Sequence, residues 1–243
     1  MKANIDTGDA SPDDAGALSD YTGQQRRIEI AAIAAFAALA LWSLRRLALA
    51  TDEPLEGWTV AAAAFSGWVA ADLFSGLVHW GFDTWGNIHT PLLGQRFIRP
   101  FREHHWDAKA ITRHDFVETN GAACIVSLPV LLMTSTMPLC GSGWLFLQAF
   151  GVFCALAVLL TNQCHKWAHM EAEQLALPVR LAQRLRLILR PEDHCKHHIR
   201  PFNSHYCTAT GWLNAPLQAI RFFRWLERCV AACTRTTTHR GDR

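Results

Sequence analysis

The chain has 243 residues, enough for one sizeable domain. Its net charge of +2, with basic residues interleaved among acids, excludes the basic footprint of a nucleic-acid binder. No C-x-x-C pair occurs among the eight cysteines, and Cys124, Cys140, Cys154 and Cys164 sit in or beside apolar runs, so they read as small hydrophobes rather than a disulfide framework.

Residues 1–25 are rich in Asp, Gly, Ser and Thr without apolar periodicity and are expected to form a disordered tail. No basic start followed by an apolar core is present there, so a cleaved signal peptide is not expected. Four apolar runs follow: Ile28 to Leu44, extendable to Ala50 past Arg45 and Arg46, then Gly57 to His79, Gly121 to Leu139 and Trp144 to Leu160. Each approaches the ~20 residues needed to cross a bilayer. Pro129 lies inside the third, where neighbouring helices can satisfy the carbonyl it frees. The link between spans two and three carries Arg96, Arg99, Arg102, Lys109 and Arg113, and basic residues recur after span four. The positive-inside rule therefore puts both termini and that long link in the cytoplasm, with Arg45 and Arg46 as the dissent. Leu175 to Leu189 and Leu217 to Val230 mix arginines with leucines and aromatics, as helices lying in the headgroup plane do.

Histidine dominates the chemistry. His194-Cys195-Lys196-His197-His198 has the form H-x-x-H-H, which on a helix aims three imidazoles into one small volume. His165 and His169 stand at i, i+4, with Asn162 on their face as a hydrogen-bonding partner behind the ligands. His104 and His105 are adjacent, splayed by roughly 100° on a helix, which suits two metals a few ångströms apart, each histidine taking one. His79 and Asp83 are again at i, i+4, and Asp72 lies two turns deeper. A carboxylate within a span is costly, and Asp72, with Asp83 just past the span, is expected behind the ligands, accepting a hydrogen bond from the far nitrogen of a ligating histidine. His114 is a further candidate ligand, whereas His89 and His239 lack companions and are expected at the surface. So many imidazoles exceed the needs of one tetrahedral zinc, which points to a two-metal centre. With the spans oriented as above, all these groups emerge at one membrane face. Neither H-E-x-x-H nor E-x-x-H occurs, so zinc-protease and ferritin-like carboxylate sites are excluded.

Five blocks carry a resemblance: Asp72-Leu-Phe-Ser-Gly-Leu-Val-His-Trp-Gly-Phe-Asp-Thr-Trp-Gly86, Arg99-Pro-Phe-Arg-Glu-His-His-Trp-Asp107, Ile111-Thr-Arg-His-Asp-Phe-Val-Glu-Thr-Asn-Gly121, Asn162-Gln-Cys-His-Lys-Trp-Ala-His169 and Gly211-Trp-Leu-Asn214. In order and spacing, over about residues 60–216, the chain resembles the Kua/CarF family of membrane lipid desaturases. That resemblance implies two non-haem iron ions, dioxygen as co-substrate, a membrane phospholipid substrate, and an electron donor such as cytochrome b5 or a ferredoxin. It implies as metal ligands His79, His104, His105, His165, His169, His194, His197 and His198, with His114 joining them. Some members of the family have a histidine where Phe202 stands, and an aromatic where His205 falls, which leaves His205 outside the expected ligand set.

The expected architecture is all-α: a polytopic membrane protein with about four transmembrane helices and a cytoplasmic helical cap holding the histidine-rich site. Its expected division is a tail at 1–25, a membrane-embedded desaturase domain at 26–230 and a second tail at 231–243. The expected activity is formation of the vinyl ether bond of plasmalogens from plasmanylethanolamine. The alternatives are desaturation of a phosphatidylglycerol palmitoyl chain, or, outside catalysis, metal transport through a His79/Asp83 pair. A haem protein with two axial histidines would need those histidines within the spans.

Overall fold

The computed structural model describes residues 21–51 and 53–234. The two expected tails fall mainly on residues 1–20 and 235–243, outside the described residues. Residues 23–25 and 231–234, assigned to tails from composition, are instead helical. Among the described residues the protein is all-helical, and four helices are long and apolar enough to cross a membrane: α1 (Gly23–Ala48), α2 (Pro54–Thr84), α5 (Phe116–Thr136) and α6 (Ser142–Ala168). Between α2 and α5 a π-helical turn (Gly94–Ile98) runs into α3 (Arg99–Trp106), followed by the short α4 (Ala110–Arg113). After α6 come α7 (Leu177–Arg184), α8 (Pro191–His194), α9 (Asn214–Ala219) and α10 (Phe222–Thr234).

Local chemistry sets the helix ends. Thr22 caps α1 by accepting from the Gln25 N–H at 3.1 Å, and Asp115 caps α5 by accepting from the Glu118 N–H at 3.0 Å. Pro54 opens α2, where its missing N–H costs nothing. At the far end of α5, the guanidinium of Arg46 donates to the carbonyls of Ser135 and Met137. The expected third span is therefore shifted: it begins at Phe116 rather than Gly121 and stops at Thr136.

The bundle is layered α1 on α5, α5 on α6, and α6 on α2. Small residues permit the close approaches. A Cβ on Gly67 would lie 2.8 Å from the Cys154 nitrogen and 2.9 Å from the Phe150 oxygen, so α2 touches the backbone of α6 there. Because α2 packs chiefly on α6 and α5 on α1 and α6, a cleft remains between α2 and α5. The core of the bundle is built by Phe36, Leu131, Leu145 and Val152 with alanines between them.

At 1.5 Å per residue the 31 residues of α2 run ~46 Å, well beyond the ~30 Å of bilayer hydrocarbon. The C-terminal turns of α2 and α6 and the N-terminal turns of α1 and α5 lie at one end, and that is where the histidines are.

Both expected headgroup-plane helices are shorter than their patterns. The first ends at Arg184 and turns through Arg186 at φ 59°, which buries Leu189 and lets its N–H donate to the Ala209 carbonyl at 2.9 Å. The second is broken at Arg221, φ 55°, so that α10 can set Phe223 against Trp80 and Tyr206. Tertiary packing of these aromatics outweighs the helical continuity that the pattern alone suggests.

Candidate metal centre

The last turns of α2 carry His79 and Asp83, α3 carries His104 and His105, the end of α6 carries His165 with His169 just beyond it, and α8 with its following turn carries His194, His197 and His198. These converge as two groups. In the first, His104, His165, His169, His194 and His198 each offer a ring nitrogen, all within 4.8 Å of one another. In the second, His79, Asp83, His105 and His197 do the same within the same limit of 4.8 Å.

The adjacent pair His104 and His105 divides between the two groups. The H-x-x-H-H segment does not behave as one helical face. Only Pro191–His194 is helical, and the chain then turns, the His197 N–H donating to the His194 carbonyl at 2.9 Å. His194 and His198 consequently face the first group and His197 the second. Ring centroids of His194 and His197 are 5.7 Å apart, and those of His79 and His165 5.6 Å, so the groups are neighbouring halves of one centre.

In the first group, Nε2 of His165 lies 2.9 Å from Nε2 of His104 and 2.8 Å from Nε2 of His194. Nε2 of His198 is 3.1 Å from Nε2 of His194. A proton on one nitrogen serves one acceptor, so this chain of contacts cannot be satisfied throughout by neutral imidazoles. A cation between them can satisfy it. With metal–nitrogen bonds of about 2.0–2.1 Å, ligands at right angles stand about 2.9 Å apart, which is the spacing found. The Nδ1 atoms of His104 and His194 are buried without a hydrogen-bond partner.

In the second group, Oδ2 of Asp83 is 3.6 Å from Nε2 of His79, 3.5 Å from Nε2 of His105 and 3.4 Å from Nε2 of His197. Nε2 of His105 and His197 are 2.9 Å apart. The Nδ1 atoms here are held by backbone: that of His79 lies 3.1 Å from the Tyr206 carbonyl and that of His197 2.8 Å from the Ser204 carbonyl. A carbonyl only accepts, so each ring carries its proton on Nδ1 and turns the lone pair of Nε2 inward.

Burial keeps His104, His169, His194, His197 and His198 unprotonated. His104, His194 and His197 titrate well below the usual histidine range, first because they are desolvated and then because other histidines crowd them. The same cause lowers His169, which also feels His198, to about 3, and His198 to about 4. Unprotonated imidazole is the metal-binding form. The donor sets suit iron, zinc, nickel and copper alike.

Three candidate residues lie elsewhere. His114 joins neither group: its Nε2 is 3.5 Å from Oε1 of Glu118, and its carbonyl accepts from Lys166. Asp72 reaches no histidine and instead accepts from the backbone amides of Ala209, Thr210, Gly211 and Leu213. Asn162 donates to the Thr119 carbonyl at 3.0 Å, tying α6 to α5 rather than orienting a ligand. His205 is also outside both groups, its Nδ1 2.9 Å from the Ser204 hydroxyl. Asp83, expected to sit behind the ligands, is instead among the converging atoms; its i+4 spacing from His79 was the signal that could have shown it. Phe202 stacks on His105 with centroids 4.7 Å apart.

A cavity of about 330 Å³ fills the cleft between α2 and α5. Phe74, Val78 and Phe82 form one wall, Ala122, Ala123 and Val126 the other, Val158 and Thr161 the floor, and Phe97 and Phe101 the roof. His104 and His165 stand at its inner end, whereas no residue of the second group lines it. Phe74 and Val126 are both lining residues and partly exposed, 38% and 44%, so the cleft opens sideways on the apolar belt.

Four helices long and apolar enough to cross a membrane, with two adjoining histidine-rich groups able to hold metal and one of them at the end of an apolar cleft, are suited to metal-dependent chemistry on an apolar chain. The lipid desaturase domain model matches residues 68–240, and the chain belongs to that family. Similar proteins include a plasmanylethanolamine desaturase of Myxococcus xanthus, 44% identical over 91% of this chain and 78% of its own length. Plasmanylethanolamine desaturase 1 of Mus musculus is 44% identical over 72% of this chain and 66% of its own length. Fatty acid desaturase 4-like 1, chloroplastic, of Arabidopsis thaliana is 34% identical over 70% of this chain and 56% of its own length. No solved structure matches.

Proposed function

We propose that this desaturase acts on plasmanylethanolamine, forming the vinyl ether of plasmalogens. The reaction takes one hydrogen from each of the two chain carbons next to the ether oxygen. Dioxygen plus two electrons and two protons accept them, leaving a carbon–carbon double bond and two waters. The electrons come from a reduced carrier such as cytochrome b5 or a ferredoxin.

The observation that carries the reading is that the first histidine group meets the polar end of an apolar cleft, with the second group beside it. A chain lying in that cleft presents carbons near its head, not its middle, to His104 and His165. The relatives named as plasmanylethanolamine desaturases are also more similar to the chain than the chloroplastic fatty acid desaturase. Transport is disfavoured by the same geometry, since the ligands gather at one end of the bundle rather than at its midplane.

His104, His165, His169, His194 and His198 would hold one iron, and His79, Asp83, His105 and His197 the other. Bound there, the irons supply the power to activate dioxygen against an unactivated C–H bond. The chain's own part is to admit the alkyl chain sideways past Phe74 and Val126, fix it along the α6 floor, and exclude water beneath the aromatic roof. His114 and Glu118, at the cavity's polar end, lie beside the lipid head rather than on a metal.

The histidine end faces the cytoplasm in this reading. The basic link carrying α3 and α4 lies on that side, and Arg46 has a structural task, capping α5, that removes it as a topological signal.

The test is lipid mass spectrometry of cells lacking vinyl ether lipids and supplied with this chain. Vinyl ethers should appear with acyl unsaturation unchanged. His165→Ala or His197→Ala should abolish the product while the protein still inserts; near-normal turnover in either variant would refute the site.

A further inference from the structure

Asp72 is fully buried in α2, two turns from His79, and has no part in either metal-binding group. Its Oδ1 accepts from the N–H groups of Ala209 at 3.1 Å, Thr210 at 2.8 Å and Gly211 at 3.0 Å. Its Oδ2 accepts from the Leu213 N–H at 3.2 Å. One turn on, the hydroxyl of Ser75 accepts from the Thr208 N–H at 2.9 Å. A single side chain thus fastens almost the whole loop of residues 208–213 to the membrane helix.

That loop is stiff. The side chain of Asn214 donates to the Cys207 carbonyl at 3.0 Å and accepts from the Cys207 N–H at 2.9 Å, closing the segment on itself. Gly76 lets it lie flat on α2, because a Cβ there would stand 2.6 Å from the Cys207 sulfur. Just upstream, the same strand of chain presents the carbonyls of Tyr206 and Ser204 to Nδ1 of His79 and His197. In the first group the Nδ1 atoms of His104 and His194 have no such partner among the described residues.

We propose that Asp72 is a positioning residue for one half of the centre: acting through the loop of residues 204–213, it sets the tautomer and aim of His79 and His197, leaving the five-histidine half independent of it. The proposal rests on the two-metal reading above. Outer hydrogen bonds to ligating histidines are worth about 10–100-fold in metal affinity. Loosening the loop should therefore weaken one of two metal equivalents by about that factor and spare the other.

The experiment is anaerobic titration of the full chain in detergent with cobalt(II), read optically, alongside iron content by emission spectroscopy. Asp72→Asn keeps the shape and leaves three amides an acceptor, but turns an N–H toward Leu213; Asp72→Ala removes all four contacts. The wild type should bind two equivalents. In Asp72→Asn one should weaken by about tenfold or more with the other unchanged, and in Asp72→Ala that same equivalent should be lost. Ser75→Ala should give a smaller effect on that equivalent.

Asp72→Asn binding both equivalents at wild-type affinity would overturn the proposal. So would equal weakening of both, which is what a general loss of folding produces. If Asp72→Ala does not fold, Asp72→Asn alone decides. A wild type that binds no metal would instead overturn the two-metal reading itself, so the two failures are distinguishable.

Discussion

Ala123→Phe should make the enzyme sensitive to the length of its substrate's chain. Ala123 is 8% exposed and lines the cleft from α5. Its depth follows from the hydrogen bond between Asn162 and the Thr119 carbonyl, which puts those two residues at one level. At 1.5 Å per residue, Ala123 lies ~6 Å below that level and His165 ~4.5 Å above it. The substitution therefore intrudes about 10 Å beneath His165, the level at which the chain's head meets the histidines in the proposed reading. A phenyl ring there displaces about three methylenes of a long chain, each worth ~0.8 kcal/mol when buried. The loss is about 2.4 kcal/mol, or roughly sixtyfold in kcat/KM. A short chain ending above Ala123 forfeits nothing. The assay compares kcat/KM for short-chain and long-chain ether lipids in the variant and the wild type, with iron content measured in both. An equal loss for both chain lengths would refute the placement of the chain, as would no loss for either.

Gly67→Ala should lower the thermal midpoint in detergent by an amount corresponding to about 1–3 kcal/mol, the usual cost of overpacking, because the new Cβ meets backbone atoms of α6 that cannot swing aside; an unchanged midpoint would count against the close packing of α2 on α6. Cys140 and Cys195 are both exposed, one between α5 and α6 and the other at the histidine end. A membrane-impermeant thiol reagent applied to intact cells should label Cys140, whereas Cys195 should react only after permeabilisation; the reverse pattern would invert the topology. Chelation of the bound metal should lower the thermal midpoint and iron(II) should restore it, since ligand at a hundred times its Kd stabilises the folded state by ~2.7 kcal/mol. A midpoint indifferent to metal would contradict binding at these buried groups.

Much of the fold was legible because it is written in side-chain pattern. The four apolar runs showed the four long helices, but the expected spans opened at Ile28, Gly57 and Gly121, past the capping residues Thr22 and Asp115 and the opening Pro54 that set the actual starts. The division of His104 from His105 followed from helical angle alone, because α3 is a true helix. The division of His197 from His194 and His198 did not, because the backbone leaves the helix after His194 and a helical wheel no longer applies. Breaks at Arg186 and Arg221 were hidden for a related reason: left-handed φ at an arginine carries no compositional signal when distant packing imposes it.

Asp72 shows why the remaining step was out of reach. A carboxylate in a span announces that something polar must meet it, and spacing along α2 suggested His79. Its actual partners are backbone amides more than 130 positions away in the chain. Every residue but proline has such an amide, so no residue type identifies them. The carbonyls that aim His79 and His197 are equally anonymous. Residue identity therefore specifies the atoms that converge in the two groups, while loop conformation specifies their aim. Substitutions at Asp72, Ser75, Gly76 and Asn214 should thus perturb the centre without removing a ligand, and their effects should fall on the carboxylate-containing half.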